Sequence, residues 1–79
     1  LIKNLAISTY IFTGNGLWSN PANWSGGTLP PNPAPAGSVI VINGSGECVL
    51  DVPHTIGSGA GLRVEPGKVF RVNGNLIRQ

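Results

Sequence analysis

VIVINGSGECVLDVPHTIGSGAGLRVEPGKVFRVNGNLIR, at residues 39–78, is a series of short apolar runs separated by turn-forming residues. The runs are rich in β-branched and aromatic side chains, which favour strands. They lie at residues 39–42, 48–52, 54–57, 62–64, 69–72 and 75–78. Short strands at nearly regular spacing, with Gly, Pro and Asn between them, are typical of an all-β fold.

Each of the first three runs aligns with the run three places further along the chain. The aligned pairs are VLDV at 49–52 with VFRV at 69–72, IVI at 40–42 with LRV at 62–64, and TIG at 55–57 with residues 75–77. Three short strands in each coil of about 20 residues is the pattern of a parallel β-helix. We therefore expect a short right-handed parallel β-helix-like stack of about two coils over residues 38–79.

This alignment predicts which side chains share a face. Leu50 would stack on Phe70 inside the stack, and outside it Asp51 would lie opposite Arg71. A different alignment, of PAGSVIVING with EPGKVFRVNG, makes each Asn-Gly pair a hairpin turn. That second alignment predicts a small β-meander or sandwich, which stays open as an alternative.

The N-terminal part, residues 1–37, is expected to cap the stack. Residues 1–13 are apolar and read as one or two strands, whereas residues 14–37 concentrate Gly, Pro, Asn and Ser. Four prolines between residues 30 and 35 exclude a helix or a central strand there. The whole chain, 1–79, is thus expected to be one all-β module. Because its first residues read as the middle of a protein, we expect it to be a fragment of a larger one.

Composition narrows the classes of function. Only 10% of the 79 residues are charged, and 19 are Gly or Pro, which argues against a coiled coil, a helical bundle or a charge-rich disordered tail. The five basic residues are dispersed, so we expect no nucleic-acid partner. No apolar run approaches the roughly 20 residues that span a bilayer, so we expect no membrane insertion.

The two tryptophans are the most distinctive residues. Trp18 and Trp24 lie six residues apart in a turn-rich segment and can fold towards each other. They either plug one end of the β core or form a platform that stacks on a sugar ring. In the second case Asn20 and Asn23 would hydrogen-bond the sugar hydroxyls.

No constellation in the sequence indicates catalysis. Cys48 reads as a buried small hydrophobe and His54, after Pro53, as an exposed turn residue, so a thiolate–imidazole pair is not expected. One His, one Cys and three scattered acids do not make a metal site. We therefore expect no enzyme activity, no metal and no cofactor.

Part of the sequence resembles a module of bacterial extracellular proteins, especially those of the Bacteroidetes type. Such modules carry a W-x-x-x-x-N-W-S-x-G-x-x-P opening ahead of β-helix-like strands. The opening is matched at Trp18, Asn23, Trp24, Ser25, Gly27 and Pro30. The phrase G-x-x-x-x-V-x-G-N-L of these repeats resembles the stretch containing Gly67, Asn73, Gly74, Asn75 and Leu76. The resemblance implies a secreted or surface-anchored parent protein, adhesin-like or carbohydrate-associated, and it implies no catalytic residues.

These observations predict a non-catalytic structural or adhesion-type module of a bacterial secreted or cell-surface protein. The alternative is a carbohydrate-binding module that uses Trp18 or Trp24, with a polysaccharide as its partner. A stack of so few coils leaves an open β edge at its end. We expect that edge to be covered by the rest of the parent polypeptide or by another copy of the chain.

Overall fold

A computed structural model of the chain describes residues 8–79. Its elements are short strands joined by turns, and it contains two 3₁₀ turns at Pro21–Asn23 and Ser25–Gly27. The strands are β1 (Ser8–Phe12), β2 (Gly16–Leu17), β3 (Ser38–Ile42), β4 (Cys48–Leu50), β5 (His54–Ile56), β6 (Gly61–Val64), β7 (Phe70–Val72) and β8 (Leu76–Arg78). The predicted all-β character is confirmed.

The strands form three small parallel sheets, in the orders β1-β3-β6, β2-β4-β7 and β5-β8. All five strand pairs among residues 8–79 are parallel, and each joins strands that are not consecutive in the chain. The Asn43-Gly44 turn therefore leads from one sheet to the next and does not close a hairpin. The strand pairing of an antiparallel meander is absent from this part of the chain.

The register corrects part of the predicted alignment. The pairing of Ile40 with Leu62 is as predicted. In the second sheet Leu50 pairs with Val72 and not with Phe70, so the predicted register there is wrong by two residues. The third sheet has the same displacement, because Ile56 pairs with Arg78 and not with Leu76.

The predicted ion pair between Asp51 and Arg71 is also wrong. Arg71 lies opposite Val49 in the observed register, and its guanidinium donates to the Glu47 carboxylate at 2.6 and 2.9 Å. Asp51 instead accepts hydrogen bonds from Ser19. The Arg71–Glu47 pair is solvent-exposed, and such pairs contribute about 1 kcal/mol or less to stability.

The core lies between the sheets and is formed by alternate residues of the strands. In β3, β4 and β5 the first and last residues are buried, as expected when successive side chains point to opposite faces. The largest fully buried side chains are Trp18, Phe12, Ile40, Ile42, Leu50, Ile56, Cys48 and Ser38. Together with Trp24, which is 3% exposed, three aromatic rings from the N-terminal part thus share the core with the later strands.

The N-terminal part contributes more than a cap. β1 pairs with β3, and β2 pairs with β4. Two of the sheets therefore begin within residues 1–37, the part that was predicted to be only a cap. Ala34 adds an isolated parallel bridge to Ile56 in the third sheet. The predicted strand content of residues 1–7 lies outside the described residues.

Glycine allows two chain segments to touch where they turn between sheets. The amide of Gly57 donates to the carbonyl oxygen of Ala34 at 3.0 Å. A Cβ atom at Gly57 would overlap that oxygen. Gly57 therefore allows the close packing of these two segments.

Candidate functional site

The two tryptophans lie at the end of the core that contains β1 and β2. Trp18 directly follows β2, and its amide donates to the Val49 carbonyl at 2.8 Å, so the strand pairing continues to this residue. Trp24 joins the two 3₁₀ turns and forms an antiparallel bridge with Phe12. Only 1% of Trp18 and 3% of Trp24 is exposed to solvent.

Aromatic side chains surround Trp18. Its ring centroid lies 4.9 Å from that of Trp24 at an interplanar angle of 75°, and Trp24 in turn meets Phe12 at 5.4 Å and 89°. Phe70 and His54 approach Trp18 at 5.9 and 5.0 Å. Edge-to-face pairs of this kind add about 0.5–1.5 kcal/mol each beyond the burial of area. The indole Nε1 of Trp24 donates to the Trp18 carbonyl at 2.7 Å, which satisfies the one polar atom of that ring.

The two asparagines have different environments. Asn23 is buried, and its side chain accepts from the Asn15 amide at 3.2 Å and donates to the Leu17 carbonyl at 3.0 Å. Asn20 is exposed and caps the first 3₁₀ turn by accepting from the Ala22 amide at 3.1 Å. Asn23 therefore holds the segment together, whereas Asn20 keeps its side-chain amide group at the surface.

This geometry favours the plug over the sugar platform. A stacking platform needs one ring face open to the ligand. Both indole rings are covered, and Asn23 uses its side-chain amide group within the chain. Carbohydrate binding by Trp18, Trp24, Asn20 and Asn23 stays a prediction. To expose a ring face to a sugar, the segment with the two 3₁₀ turns (residues 21–27, the 3₁₀ segment) would have to move.

A small exposed polar cluster beside Trp18 was not predicted. The Ser19 hydroxyl donates to Asp51 Oδ2 at 2.5 Å, and the Ser19 amide donates to Oδ1 at 3.0 Å. The hydrogen bond from the Ser19 hydroxyl lowers the pKa of Asp51 below its ordinary value. The two residues are 32 positions apart, so no local sequence signal could have paired them.

Cys48 is fully buried in β4. Burial raises the pKa of its thiol to about 12, and the nearby charge of Asp51 acts in the same direction. At neutral pH the thiol is therefore protonated, and a protonated thiol is a poor nucleophile. This environment suits the predicted role of Cys48 as a small core hydrophobe.

The prediction that His54 is exposed is wrong. Only 3% of this residue is exposed, because its side chain lies on the same buried face of β5 as Ile56 and its ring lies 5.0 Å from that of Trp18. Its Nε2 atom is buried and has no hydrogen-bond partner among residues 8–79. Burial lowers the pKa of His54 below 6.5, and a hydrogen bond to the backbone of Pro31 offsets part of that effect.

The buried imidazole makes stability depend on pH. Because the folded-state pKa lies below 6.5, the unfolded chain binds more protons as the pH falls from 7. The free energy of unfolding should therefore decrease between pH 6.5 and 5, above the range in which ordinary carboxylates titrate. Urea unfolding at several pH values measures this decrease, and His54→Leu should remove most of it. An equal decrease in the variant would assign the effect to other groups.

Residues 8–79 were also searched for metal-binding groups and for membrane-spanning helices. No group of three His, Cys, Asp or Glu side chains in this part of the chain could hold a metal ion. The described residues also form no helix of the length and apolar character needed to cross a membrane.

Comparison with known proteins gives no relative: no protein family, curated protein or solved structure matches the chain.

Proposed function

We propose that this chain is a non-catalytic structural module built as a short right-handed β-helix-like stack. In it β1 and β2 belong to the first coil, β3, β4 and β5 form the second, and β6, β7 and β8 form the third. The three parallel sheets are then the sides of the stack, and the segment around Trp18 and Trp24 closes its first end.

One observation carries the proposal: in all three sheets, residues 22 positions apart are paired. The pairs Ile40–Leu62, Cys48–Phe70, His54–Leu76 and Ala34–Ile56 each join residues 22 positions apart. A chain that winds with a fixed number of residues per coil has this property in all of its sheets. The β1–β3 and β2–β4 pairs join residues 30 and 32 positions apart, because the turn-rich segment from Trp18 to Pro33 lengthens the first coil.

The biological setting rests on the sequence. The Trp-Asn-Trp-Ser-type opening at residues 18–30 resembles modules of bacterial secreted and cell-surface proteins. In such a setting a rigid stack serves display or adhesion, and the parent protein supplies the surface that is displayed. The buried aromatic end is consistent with a structural role for this segment.

Carbohydrate binding is the second candidate function. Asn20 is exposed beside the Ser19–Asp51 pair, so polar groups lie at the surface next to Trp18. These groups could hydrogen-bond sugar hydroxyls, and a flat ring nearby could stack on the sugar if it became exposed.

Tryptophan fluorescence separates the two candidates. With both rings buried, we expect blue-shifted emission that acrylamide quenches weakly and that a panel of soluble polysaccharides leaves unchanged. Strong quenching together with a saturable shift on one polysaccharide would contradict the structural module and favour the binding module. The single variants Trp18→Phe and Trp24→Phe would then assign the shift to one ring.

A further inference from the structure

The third coil presents an apolar surface at the end of the proposed stack. Ile42 and Leu50 of the second coil are fully buried, but their partners Val64 and Val72 are 40% and 45% exposed. Residues paired in parallel register point to the same side of a sheet. Val64 and Val72 therefore occupy positions equivalent to those of the core residues Ile42 and Leu50, but no further coil among residues 8–79 packs over them. We call this surface the end face; it consists of Leu62, Val64, Phe70, Val72 and Leu76.

The end face is bordered by unpaired strand edges on all three sides. β6, β7 and β8 are each the outermost strand of their sheet. β6, β7 and β8 all pair in parallel with the strands inside the stack. Their open edges therefore suit further strands that run in the same direction. Unpaired edges beside an apolar surface favour the addition of further strands.

The opposite end of the stack does not offer a matching surface. Trp24 bridges Phe12 at the outer edge of β1, and the amides of Thr13 and Gly14 donate to the Asn23 carbonyl at 2.7 and 3.0 Å. The 3₁₀ segment thus occupies part of that edge. This disfavours a second copy that continues the stack by placing its first coil on the end face.

Charge disfavours two copies that meet end face to end face. All Lys and Arg residues of the described part belong to the third coil and the turns within it, namely Arg63, Lys68, Arg71 and Arg78. Glu65 and Glu47 pair with Arg63 and Arg71 at 2.7 and 2.6 Å. Within residues 8–79 Lys68 and Arg78 have no ion-pair partner. Two such end faces in contact would bring like charges together, which is unfavourable.

Arg78 specifies what the partner must supply. It is exposed and is in register with the buried Ile56, so it lies on the same side of the third sheet as Ile56, at the open end. A coil placed over this residue leaves a cation inside an interface unless it supplies a carboxylate. The same coil needs apolar side chains over the end face.

We propose that the end face docks a polypeptide segment of about 22 residues, which adds one parallel strand each to β6, β7 and β8, covers the end face with apolar side chains and places an acidic residue over Arg78. The length follows from the 22-residue spacing of the paired strands. This inference rests on the proposed stack and names the chemistry of the partner that its open end selects.

The test extends the full chain by one coil. The sequence of residues 58–79 is appended after Gln79, with Arg78→Glu in the appended copy only, so that the new carboxylate stacks on the original Arg78. We call this variant the acidic extension after that one carboxylate; the appended coil as a whole keeps three basic and two acidic residues. The matched control carries the same extension without that substitution. Amide hydrogen exchange should slow by at least about tenfold in β6, β7 and β8 of the acidic extension, and clearly less in the control.

Three results would overturn the proposal. Unchanged exchange in the acidic extension would show that the end face accepts no coil. Equal protection by both extensions would remove the requirement for an acid. A dimer of the unextended chain in sedimentation, with β6, β7 and β8 protected, would replace the docked segment by a second copy.

The same experiment separates this inference from the proposed stack. In the unextended chain the amides of β3, β4 and β5 should already exchange slowly, because these strands lie inside the stack. Free exchange there would contradict the stack itself. Slow exchange there, combined with no effect of the acidic extension, would contradict only the docking.

Discussion

Trp18→Ala should lower the free energy of unfolding by about 3–5 kcal/mol. Trp18 is 1% exposed and contacts the rings of Trp24, His54 and Phe70, so its removal leaves a cavity between the first end of the core and the later strands. A chain of 79 residues buries a modest fraction of its surface and has little stability in reserve. The variant should therefore be largely unfolded at 37 °C, as measured by circular dichroism and urea titration.

Leu17→Ala is the matched control for this variant. Leu17 precedes Trp18 in the chain but is 49% exposed, and its replacement should cost about 0.5 kcal/mol or less. If the two variants lost similar stability, the aromatic cluster would not be the plug of the core.

Leu50→Ala should cost about 2–5 kcal/mol, whereas Val72→Ala should cost less than about 1 kcal/mol. The two residues are paired in adjacent strands and point to the same side, yet Leu50 is fully buried and Val72 is 45% exposed. The difference therefore measures the position of each coil in the proposed stack. Urea unfolding of both variants under one set of conditions gives the comparison.

Equal losses in these two variants would contradict the arrangement. They would mean that Val72 is as well covered as Leu50, either because the chain self-associates through the end face or because the strands pair differently. Repeating the titration at a tenfold lower protein concentration separates these causes, since only association depends on concentration.

The sequence contained enough information to place the strands but not to fix every register. Alternation of apolar residues has a period of two, so a slip of two residues leaves every side chain on the same face. That is why pairing Leu50 with Phe70 or with Val72 looks equally good in the sequence. The β3–β6 pair was predicted correctly because Ile40 and Ile42 match Leu62 and Val64 in one way only.

His54 shows how a local turn signal can mislead. Its position after Pro53 predicted exposure, yet His54 and Ile56 alternate as buried residues of one strand. That alternation was visible in the sequence and could have placed the imidazole inside. The ring of Trp18, 36 residues earlier in the chain, completes the environment, and sequence spacing does not reveal such a contact.

The candidate site depended on contacts between distant parts of the chain. The spacing of Trp18 and Trp24 in the sequence allows their rings to meet, and their centroids lie 4.9 Å apart. Whether the rings would be covered depended on Phe12 and Phe70, which come from other strands. The Ser19–Asp51 pair likewise forms only because β2 and β4 are neighbours.

Scalar couplings across backbone hydrogen bonds, measured by NMR, test the parallel arrangement most directly. The parallel register predicts couplings from the Glu65 amide to the Ile42 carbonyl, from the Cys48 amide to the Val69 carbonyl and from the His54 amide to the Asn75 carbonyl, where the N–O distances are 3.0, 2.9 and 2.8 Å. Each of the three couplings joins a strand to the strand three places further along the chain: β3 to β6, β4 to β7 and β5 to β8. Couplings between consecutive strands, as in hairpins, or couplings displaced by two residues from these partners, would contradict the 22-residue stack.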